Sequence, residues 1–331
     1  MMNARIIPMS EEYKDKLTAY MHRKYPTFTD AYIQYDVNES IAPEESEAKS
    51  LLVVNDNDEI VGCNLYFITK AWFKGQENIV AWSHNTFLDE EYRRIIGMDF
   101  VLELASTKNS FGYSLTDINI KIQRRLKKII FISGLRFFRA FNIWAAWGTV
   151  NKFVGRSPKI PDNMPQVIHA LNGTFTLCTN AKDIDIPNGG YWNKDICEVD
   201  FIRDEEFLNK RFFKNPVNKY FVYTNQKRDC YFVVRPKIHE GLLALQVVDF
   251  RYLPNKPQMA NVIFKAMEAI SMKLHAGIIL FTTSDKQVKS LYESKNTCKS
   301  WPVAFICERK NVTSEDAYII VNDADDDGEF H

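Results

Sequence analysis

The chain has 331 residues, of which 46% are hydrophobic and 25% charged, and 42 lysines and arginines balance 42 aspartates and glutamates. This length exceeds what one hydrophobic core usually organises, so two domains of ordinary size are expected. Because the net charge is zero, nothing in the overall charge indicates a nucleic-acid partner, and no such partner is expected.

The N-terminal sequence MMNARIIPMSEEYKDK has no apolar stretch behind its first charge, and no run of about eighteen uncharged apolar residues occurs. A cytoplasmic location is therefore the default expectation. The six cysteines form no CxxC pair and the histidines show no HxxxH spacing, so no metal site is predicted. We expect the cysteines to be small buried side chains.

The first third of the chain predicts a strand at ARIIPM, a helix from Glu11 to about Tyr25, and a polar stretch that continues to Ser50. Three strand patterns then follow one another with short turns between them, SLLVVND, EIVGCNLYFITKAWF and NIVAWSHNTFL. They predict an antiparallel meander. The next stretch, YRRIIGMDFVLELAS, has apolar residues at helical spacing and predicts a helix.

The middle of the chain predicts a helix, INIKIQRRLKK, capped by Asp117 and running into the apolar IIFISGL. Residues 156–190 carry four of the twelve prolines, and we predict that they connect a first domain, 1–155, to a second, 191–331. The second domain repeats the plan of the first: meander, helix, strand, helix and strand. The predicted fold class is α+β, with a mixed, largely antiparallel sheet flanked by helices in each domain.

Residues 91–100, EYRRIIGMDF, place two arginines just before a glycine where a strand pattern passes into a helix pattern. A strand, a tight turn rich in N–H groups and a helix N-terminus together form an arrangement that binds phosphate. The alternative is a capped helix start with exposed arginines, because short degenerate patterns of this kind arise often.

This stretch, together with the strand order around it, resembles the GCN5-related N-acetyltransferase (GNAT) family, whose loop R/Q-x-x-G-x-G/A grips the pyrophosphate of acetyl-CoA. Arg94 and Gly97 match the pattern, whereas Asp99 stands where the family has glycine or alanine. The resemblance implies a tandem GNAT-like fold and a coenzyme site made of Phe87, Leu88, Tyr92, Arg93, Arg94, Ile95, Ile96, Gly97 and Met98.

The corresponding stretch of the second half, VVDFRYLPNKPQMANVIF, contains no glycine. Lys256 and Pro257 stand where the N–H groups would be needed, and proline has no N–H. We therefore predict that the C-terminal domain is a degenerate GNAT-like domain that does not bind the coenzyme.

The resemblance implies transfer of an acyl group from acetyl-CoA, or another acyl-CoA, to an amine held against the fourth strand. His84 lies on that strand and has the pKa range of a general base near neutral pH, although a strand histidine is often only a half-buried polar residue. The family often has a tyrosine that protonates the leaving thiolate. Gln123 stands at that place here, and Tyr113 is the candidate to replace it.

The most uneven charge distribution lies between Asp117 and Asp162, where no acidic residue occurs. The basic residues of this segment are Lys121, Arg124, Arg125, Lys127, Lys128, Arg136, Arg139, Lys152, Arg156 and Lys159. Interleaved phenylalanines and tryptophans suit a membrane surface or an anionic partner such as a sugar nucleotide. Alternatively, the aromatic residues fill a core and the basic ones form a solvated face.

The function expected from the resemblance is an acyl-CoA-dependent N-acyltransferase that acts on a small-molecule amine, with an amino sugar of bacterial surface polysaccharide as an acceptor suggested by analogy. One alternative is a FemAB-like aminoacyltransferase, because the basic segment would suit tRNA. Another is a non-catalytic protein that binds a coenzyme or an anion.

Overall fold

The computed structural model describes residues 3–73, 75–113, 121, 129–140, 143–153, 155, 157–170, 173–292, 298–307 and 322. The chain divides into two compact units. Unit 1 comprises Met1–Ile132 and Ala304–Ala317, and unit 2 comprises Ser133–Val303 and Tyr318–His331. Within the described ranges, no helix has the length and apolar character needed to cross a bilayer.

Unit 1 contains a meander followed by a helix and a further strand. Its strands are β1 (Ala4–Pro8), β2 (Leu51–Asn55), β3 (Ile60–Phe73), β4 (Gln76–Leu88) and β5 (Ser110–Tyr113). Its helices are α1 (Lys14–Lys24), α2 (Asp30–Glu39) and α3 (Arg93–Ser106), with 3-10 turns at Glu11–Tyr13 and Glu90–Tyr92.

Further helices and strands follow β5 in the described part of the chain. The helices are α4 (Ile143–Phe153), α5 (Glu205–Leu208), which continues into a π-helical turn (Asn209–Phe213), α6 (Met259–Lys273) and α7 (Lys286–Tyr292). The strands are β6 (Ile129–Ala140), β7 (Val167–Ala170), β8 (Gly173–Leu177), β9 (Val199–Phe201), β10 (Phe221–Asn225), β11 (Cys230–His239), β12 (Leu242–Tyr252), β13 (Ile278–Thr283) and β14 (Cys298–Cys307).

The sheet of unit 1 has the order β1-β2-β3-β4-β5, antiparallel except for the parallel pair β4–β5 that α3 connects. The apolar residues of β2, β3 and β4 that point toward α3 form one core with Ile96 and Phe100 of that helix. This packing places the start of α3 directly beyond the end of β4.

Unit 2 contains the sheet β6-β13-β12-β11-β10-β8-β7, antiparallel except for the parallel pair β12–β13 that α6 connects. Its core packs α6, through Ile263, Phe264 and Met267, against β11, β12 and β13. Each unit therefore has a mixed, largely antiparallel sheet flanked by helices, which confirms the α+β prediction.

Two local features differ from the sequence prediction or add to it. The polar stretch before Ser50 contains α2, whose start is capped by the side-chain oxygen of Thr29 accepting from the Tyr32 N–H. The helix was missed because Asp36 is one of its buried residues and weakens the apolar pattern. The predicted connection 156–190 contains strands β7 and β8, and the predicted domain limits stay a prediction.

The predicted burial of the cysteines is confirmed where the structure describes it. The four cysteines whose side chains it describes are free and buried, namely Cys63, Cys178, Cys197 and Cys230. No group of three or more potential metal ligands occurs among the described residues.

Candidate functional site

Strand β4 carries a bulge near its end. Leu65 of β3 pairs with His84 and Cys63 pairs with Phe87, so two residues of β4, Asn85 and Thr86, oppose one residue of β3. Asn85 adopts a φ of 45°, in the left-handed region that asparagine tolerates better than most residues. Bulges of this kind re-aim side chains and interrupt pairing, and they are common beside active sites.

The pairing of β4 with β5 ends just before the bulge. The parallel register runs from Ala81 opposite Ser110 to Ser83 opposite Gly112. Within the described part of the chain, β4 from the bulge onward has no partner on its β5 side.

His84 is held by a carboxylate from α2. Its Nε2 lies 2.6 Å from Oδ1 of Asp36, and the two side chains are only 3% and 2% exposed. The Nδ1 atom lies 3.4 Å from the carbonyl oxygen of Trp82. Nε2 therefore faces a carboxylate and Nδ1 faces a backbone carbonyl oxygen, so the imidazole ring is oriented by an acceptor on each side.

Asp36 also fixes the bulge itself. Its second oxygen accepts a hydrogen bond of 2.7 Å from the Asn85 side chain, whose Nδ2 also lies 3.3 Å from the Tyr32 hydroxyl. The carboxylate thus ties α2 to two successive residues of β4. His84 was predicted from the sequence, but Asp36 was not, because α2 was read as a polar stretch.

A second polar group lies on β3 opposite the bulge. The Asn64 side-chain oxygen accepts hydrogen bonds of 2.6 Å from Ser83 and 2.6 Å from Thr86. Asn64 is fully buried, whereas Thr86 is exposed. Polar side chains therefore line the strand where its pairing with β5 stops.

The connection from β4 to α3 is a single 3-10 turn, Glu90–Tyr92. The N–H of Tyr92 donates to the Asp89 oxygen at 3.0 Å, and that of Arg93 donates to the oxygen of Glu90. Gly97 then lies in the second turn of α3. The apolar residues Ile96 and Phe100 pack into the core, and this packing extends the helix to a start before the glycine.

The predicted coenzyme residues fall into two sets. Leu88, Tyr92 and Ile96 belong to the core of unit 1, and Phe87 and Gly97 are partly buried. The exposed set comprises Arg93, Arg94, Ile95 and Met98. The Arg93 Nε donates to the Leu88 oxygen at 3.1 Å, which holds its guanidinium at the end of β4. The coenzyme role of both sets stays a prediction.

The remaining predicted site residues are only partly described. Tyr113 ends β5, and its side chain lies outside the described residues, as does Gln123. In the basic segment, the Lys152 ammonium donates to the Glu240 carbonyl oxygen at 2.8 Å. Most of the other basic side chains of that segment lie outside the described part.

A cleft of about 600 Å³ lies in unit 1 beside the turn after β4. Its walls come from α1, the β2–β3 turn and the 3-10 turn before α3. Asp89 accepts a hydrogen bond of 3.1 Å from the Tyr20 hydroxyl and forms an ion pair with Lys24 at 2.5 Å. Burial, with smaller effects from Cys63 and Asp89, raises the pKa of Tyr20, so its hydroxyl stays a donor. The cleft is thus polar and carries both signs of charge.

A scan against models of protein families finds no match, and a search of curated proteins finds none either. Solved structures do match. A probable N-acyltransferase from Enterococcus faecalis is 13% identical with a TM-score of 0.53, over 93% of this chain and 73% of that one. A GCN5-related N-acetyltransferase from Anabaena variabilis is 13% identical with a TM-score of 0.52, over 92% and 72%.

The N-myristoyltransferase of Saccharomyces cerevisiae, solved with bound myristoyl-CoA, also matches. It is 10% identical with a TM-score of 0.54, over 91% of this chain and 78% of that one. At such identities the likeness concerns the fold. The chain thus shares its fold with these solved structures, which confirms the fold that the resemblance implies.

Proposed function

We propose that this chain is an acyl-CoA-dependent N-acyltransferase whose coenzyme site lies in unit 1. The observation that carries the proposal is the bulged end of β4, which lies just after the described pairing with β5, in a fold shared with solved N-acyltransferases. An open strand edge offers backbone donors and acceptors to the amide-bearing arm of a coenzyme A thioester. The exposed Arg94 at the start of α3 supplies positive charge for the phosphates.

In the proposed reaction the amine nitrogen of the acceptor attacks the thioester carbonyl carbon, a C–N bond forms and the C–S bond breaks. The nitrogen loses a proton and the departing thiolate gains one. We assign the first transfer to His84, oriented by Asp36. Because the imidazole side chain is only 3% exposed, this transfer requires an intervening water or a displacement of α2. Tyr113 is the proposed donor to the thiolate.

The proposed acceptor is a small-molecule amine. Within this class, an amino sugar is proposed as the acceptor by analogy alone. The basic segment from Lys121 to Lys159 would suit an acceptor that bears phosphate or a contact with an anionic membrane surface. The acyl group is acetyl in the simplest form of the proposal, with longer acyl chains as alternatives.

Calorimetric titration tests the coenzyme site directly. Wild-type protein is titrated with acetyl-CoA, desulfo-CoA and myristoyl-CoA, beside the variants Arg94→Ala and Arg5→Ala. Arg5 is the matched control because it is also exposed, lies in unit 1 and pairs with Asp58 at 3.5 Å. Loss of one charge-assisted contact is expected to weaken binding about tenfold or more in Arg94→Ala only.

The acyl chain that binds most tightly would identify the donor. Absence of heat with every coenzyme would overturn the proposed function. If wild type, Arg94→Ala and Arg5→Ala bind the coenzyme equally well, Arg94 does not contact it. The proposed site would then consist of the end of β4 without Arg94.

A further inference from the structure

Unit 2 contains buried hydrogen-bond donors without acceptors. Among the described side chains, Nε of Arg235 and the Nδ2 atoms of Asn215 and Asn218 are buried and make no hydrogen bond. All three are donors. Leaving a buried donor unpaired costs about 1–3 kcal/mol, so each of the three suggests a missing acceptor.

The local chain geometry brings these residues to one end of the β10–β11 pair. Phe221 pairs with Val234, so the same register continued by one residue sets Tyr220 opposite Arg235. The guanidinium of Arg235 lies 6.0 Å from the centre of the Tyr220 ring. The asparagines occupy the loop that leads into Tyr220.

The orientation of the Asn215 amide is fixed by its own loop. Its oxygen accepts hydrogen bonds from the N–H groups of Val217 at 2.9 Å and Asn218 at 2.8 Å. The oxygen side of this amide is thus occupied, and the Nδ2 side is the one left for a ligand. Lys219, between Asn218 and Tyr220, is exposed and adds positive charge at the same loop.

Arg235 has no carboxylate partner among the described residues. It is 8% exposed, and its Nη2 donates to the neutral side-chain oxygen of Gln246 at 3.1 Å. Arg203 of the same unit shows the usual solution, because its Nε lies 2.8 Å from the buried carboxylate of Asp249. A buried guanidinium without a counter-charge is costly, and a bound anion would remove that cost.

We propose that Arg235, Asn215 and Asn218 form an oxyanion-binding site in unit 2 that takes the phosphate or carboxylate group of a small molecule. The site offers one positive charge and several N–H donors, which matches the chemistry of an oxyanion. The proposal does not depend on acyl transfer, because the site lies in the unit without the coenzyme-like loop.

Thermal unfolding tests the site with defined anions. Full-length protein in Tris chloride is compared with protein in inorganic phosphate or acetate, at matched ionic strength so that general screening cancels. A specific ligand raises the Tm in a saturable way, by several degrees at about 100 times its Kd. A larger response to phosphate or to acetate tells the two sources of the oxyanion apart, and no saturable response to either overturns the proposal.

The variants are Arg235→Gln and the control Arg228→Gln, an arginine of the same unit whose Nε donates to the Asp183 oxygen at 2.7 Å. In chloride, Arg235→Gln should melt no lower than wild type, because it removes an unneutralised charge, and its anion affinity should fall at least tenfold. Arg228→Gln should keep the anion response.

The contrary result is a lower Tm for Arg235→Gln in chloride together with an unchanged anion response. That result would make Arg235 a structural residue. If Arg235→Gln does not fold, Asn218→Ala is titrated with the better anion by calorimetry, where an affinity equal to that of wild type overturns the site.

Discussion

The two units use the last strand of their meanders in different ways. Strands β4 and β12 both carry an irregularity in the same place of the plan, since Val233 pairs with Asp249 and Val234 with Val247, which leaves Val248 as the extra residue. In β4 the corresponding residues, Asn85 and Thr86, are polar, and no described strand pairs with this part of β4 on its β5 side. In β12 the bulge adjoins a buried charge network.

The buried charge network of unit 2 is centred on the Asp249 carboxylate. Asp249 accepts hydrogen bonds from Arg203 at 2.8 Å, Arg251 at 2.9 Å, Tyr231 at 2.7 Å and Asn322 at 2.9 Å. The turn after β12 is also closed by its own bond, from the Met259 N–H to the Lys256 oxygen. Similar strand geometry thus carries neutral polar side chains in one unit and an internal ion network in the other, because the residues at the two bulges differ.

Removal of the Asp249 carboxylate is expected to have the largest effect on stability, and it tests the network of unit 2. Asp249→Ala removes a buried carboxylate that pairs with two nearly inaccessible guanidinium groups, so the free energy of unfolding should fall by about 3–5 kcal/mol. Urea unfolding measures it. Asp185→Ala, which removes an exposed ion pair with Arg228, should cost less than about 1 kcal/mol. Equal losses in both variants would contradict the importance of the network.

Loss of the Asp36 carboxylate tests unit 1. Asp36→Ala removes charge-assisted hydrogen bonds to His84 and Asn85, which should cost about 1.5–3 kcal/mol. Hydrogen exchange should become faster in α2 and around the bulge before it changes in unit 2. Uniform acceleration throughout the chain would show that the contact stabilises the whole fold and not the bulge locally.

The acid side of the stability curve distinguishes the networks further. Burial by itself raises the pKa of Asp249, but Arg203, Arg251 and the hydrogen bonds from Asn322 and Tyr231 outweigh it and hold the pKa below its usual value. An unfolded aspartate titrates near about 3.9, so the stabilisation is present above that pH and is lost as the pH falls through the lower native pKa.

Asp249→Asn should therefore reduce the slope of unfolding free energy against pH below about pH 4. The comparison is made by urea unfolding at a series of pH values. An unchanged slope would show that other carboxylates govern acid unfolding.

Gly97→Ala should have the smallest effect on stability, and it tests whether the coenzyme binds near the start of α3. A Cβ at Gly97 would meet only ordinary contacts, 3.7 Å from Leu88 Cδ2 and 3.9 Å from Arg93 Cβ. Alanine inside a helix should stabilise the protein by about 0.5–1 kcal/mol. If phosphate approaches the start of α3 closely, the same variant binds coenzyme more weakly.

A control with less room is Gly62→Ala, whose Cβ would lie 2.7 Å from Leu88 Cδ1 and 2.9 Å from the Phe87 oxygen. It should destabilise the protein by about 1–3 kcal/mol. Unchanged coenzyme affinity in a stabilised Gly97→Ala would place the phosphates away from this turn.

Much of the architecture was predictable because it depends on local patterns. The alternation and composition of residues 51–88 and 221–252 predicted both meanders, and the helical spacing of apolar residues predicted α3 and α6. The helix predicted over YRRIIGMDFVLELAS matches α3 to within one residue at its start, because Ile96 and Phe100 pack into the core as their helical spacing indicates.

The sequence by itself determined the two meanders and helices α3 and α6, and it offered His84 as a candidate site residue. Only the tertiary structure brought Asp36 to His84, set Asn85 in a bulge, and surrounded Asp249 with two arginines. Two of these pairs join residues far apart along the chain, because the numbers of His84 and Asp36 differ by 48 and those of Arg203 and Asp249 by 46. Periodicity reports which face of an element is apolar, but pairing of buried charges depends on packing between elements, where an unpaired charge is costly.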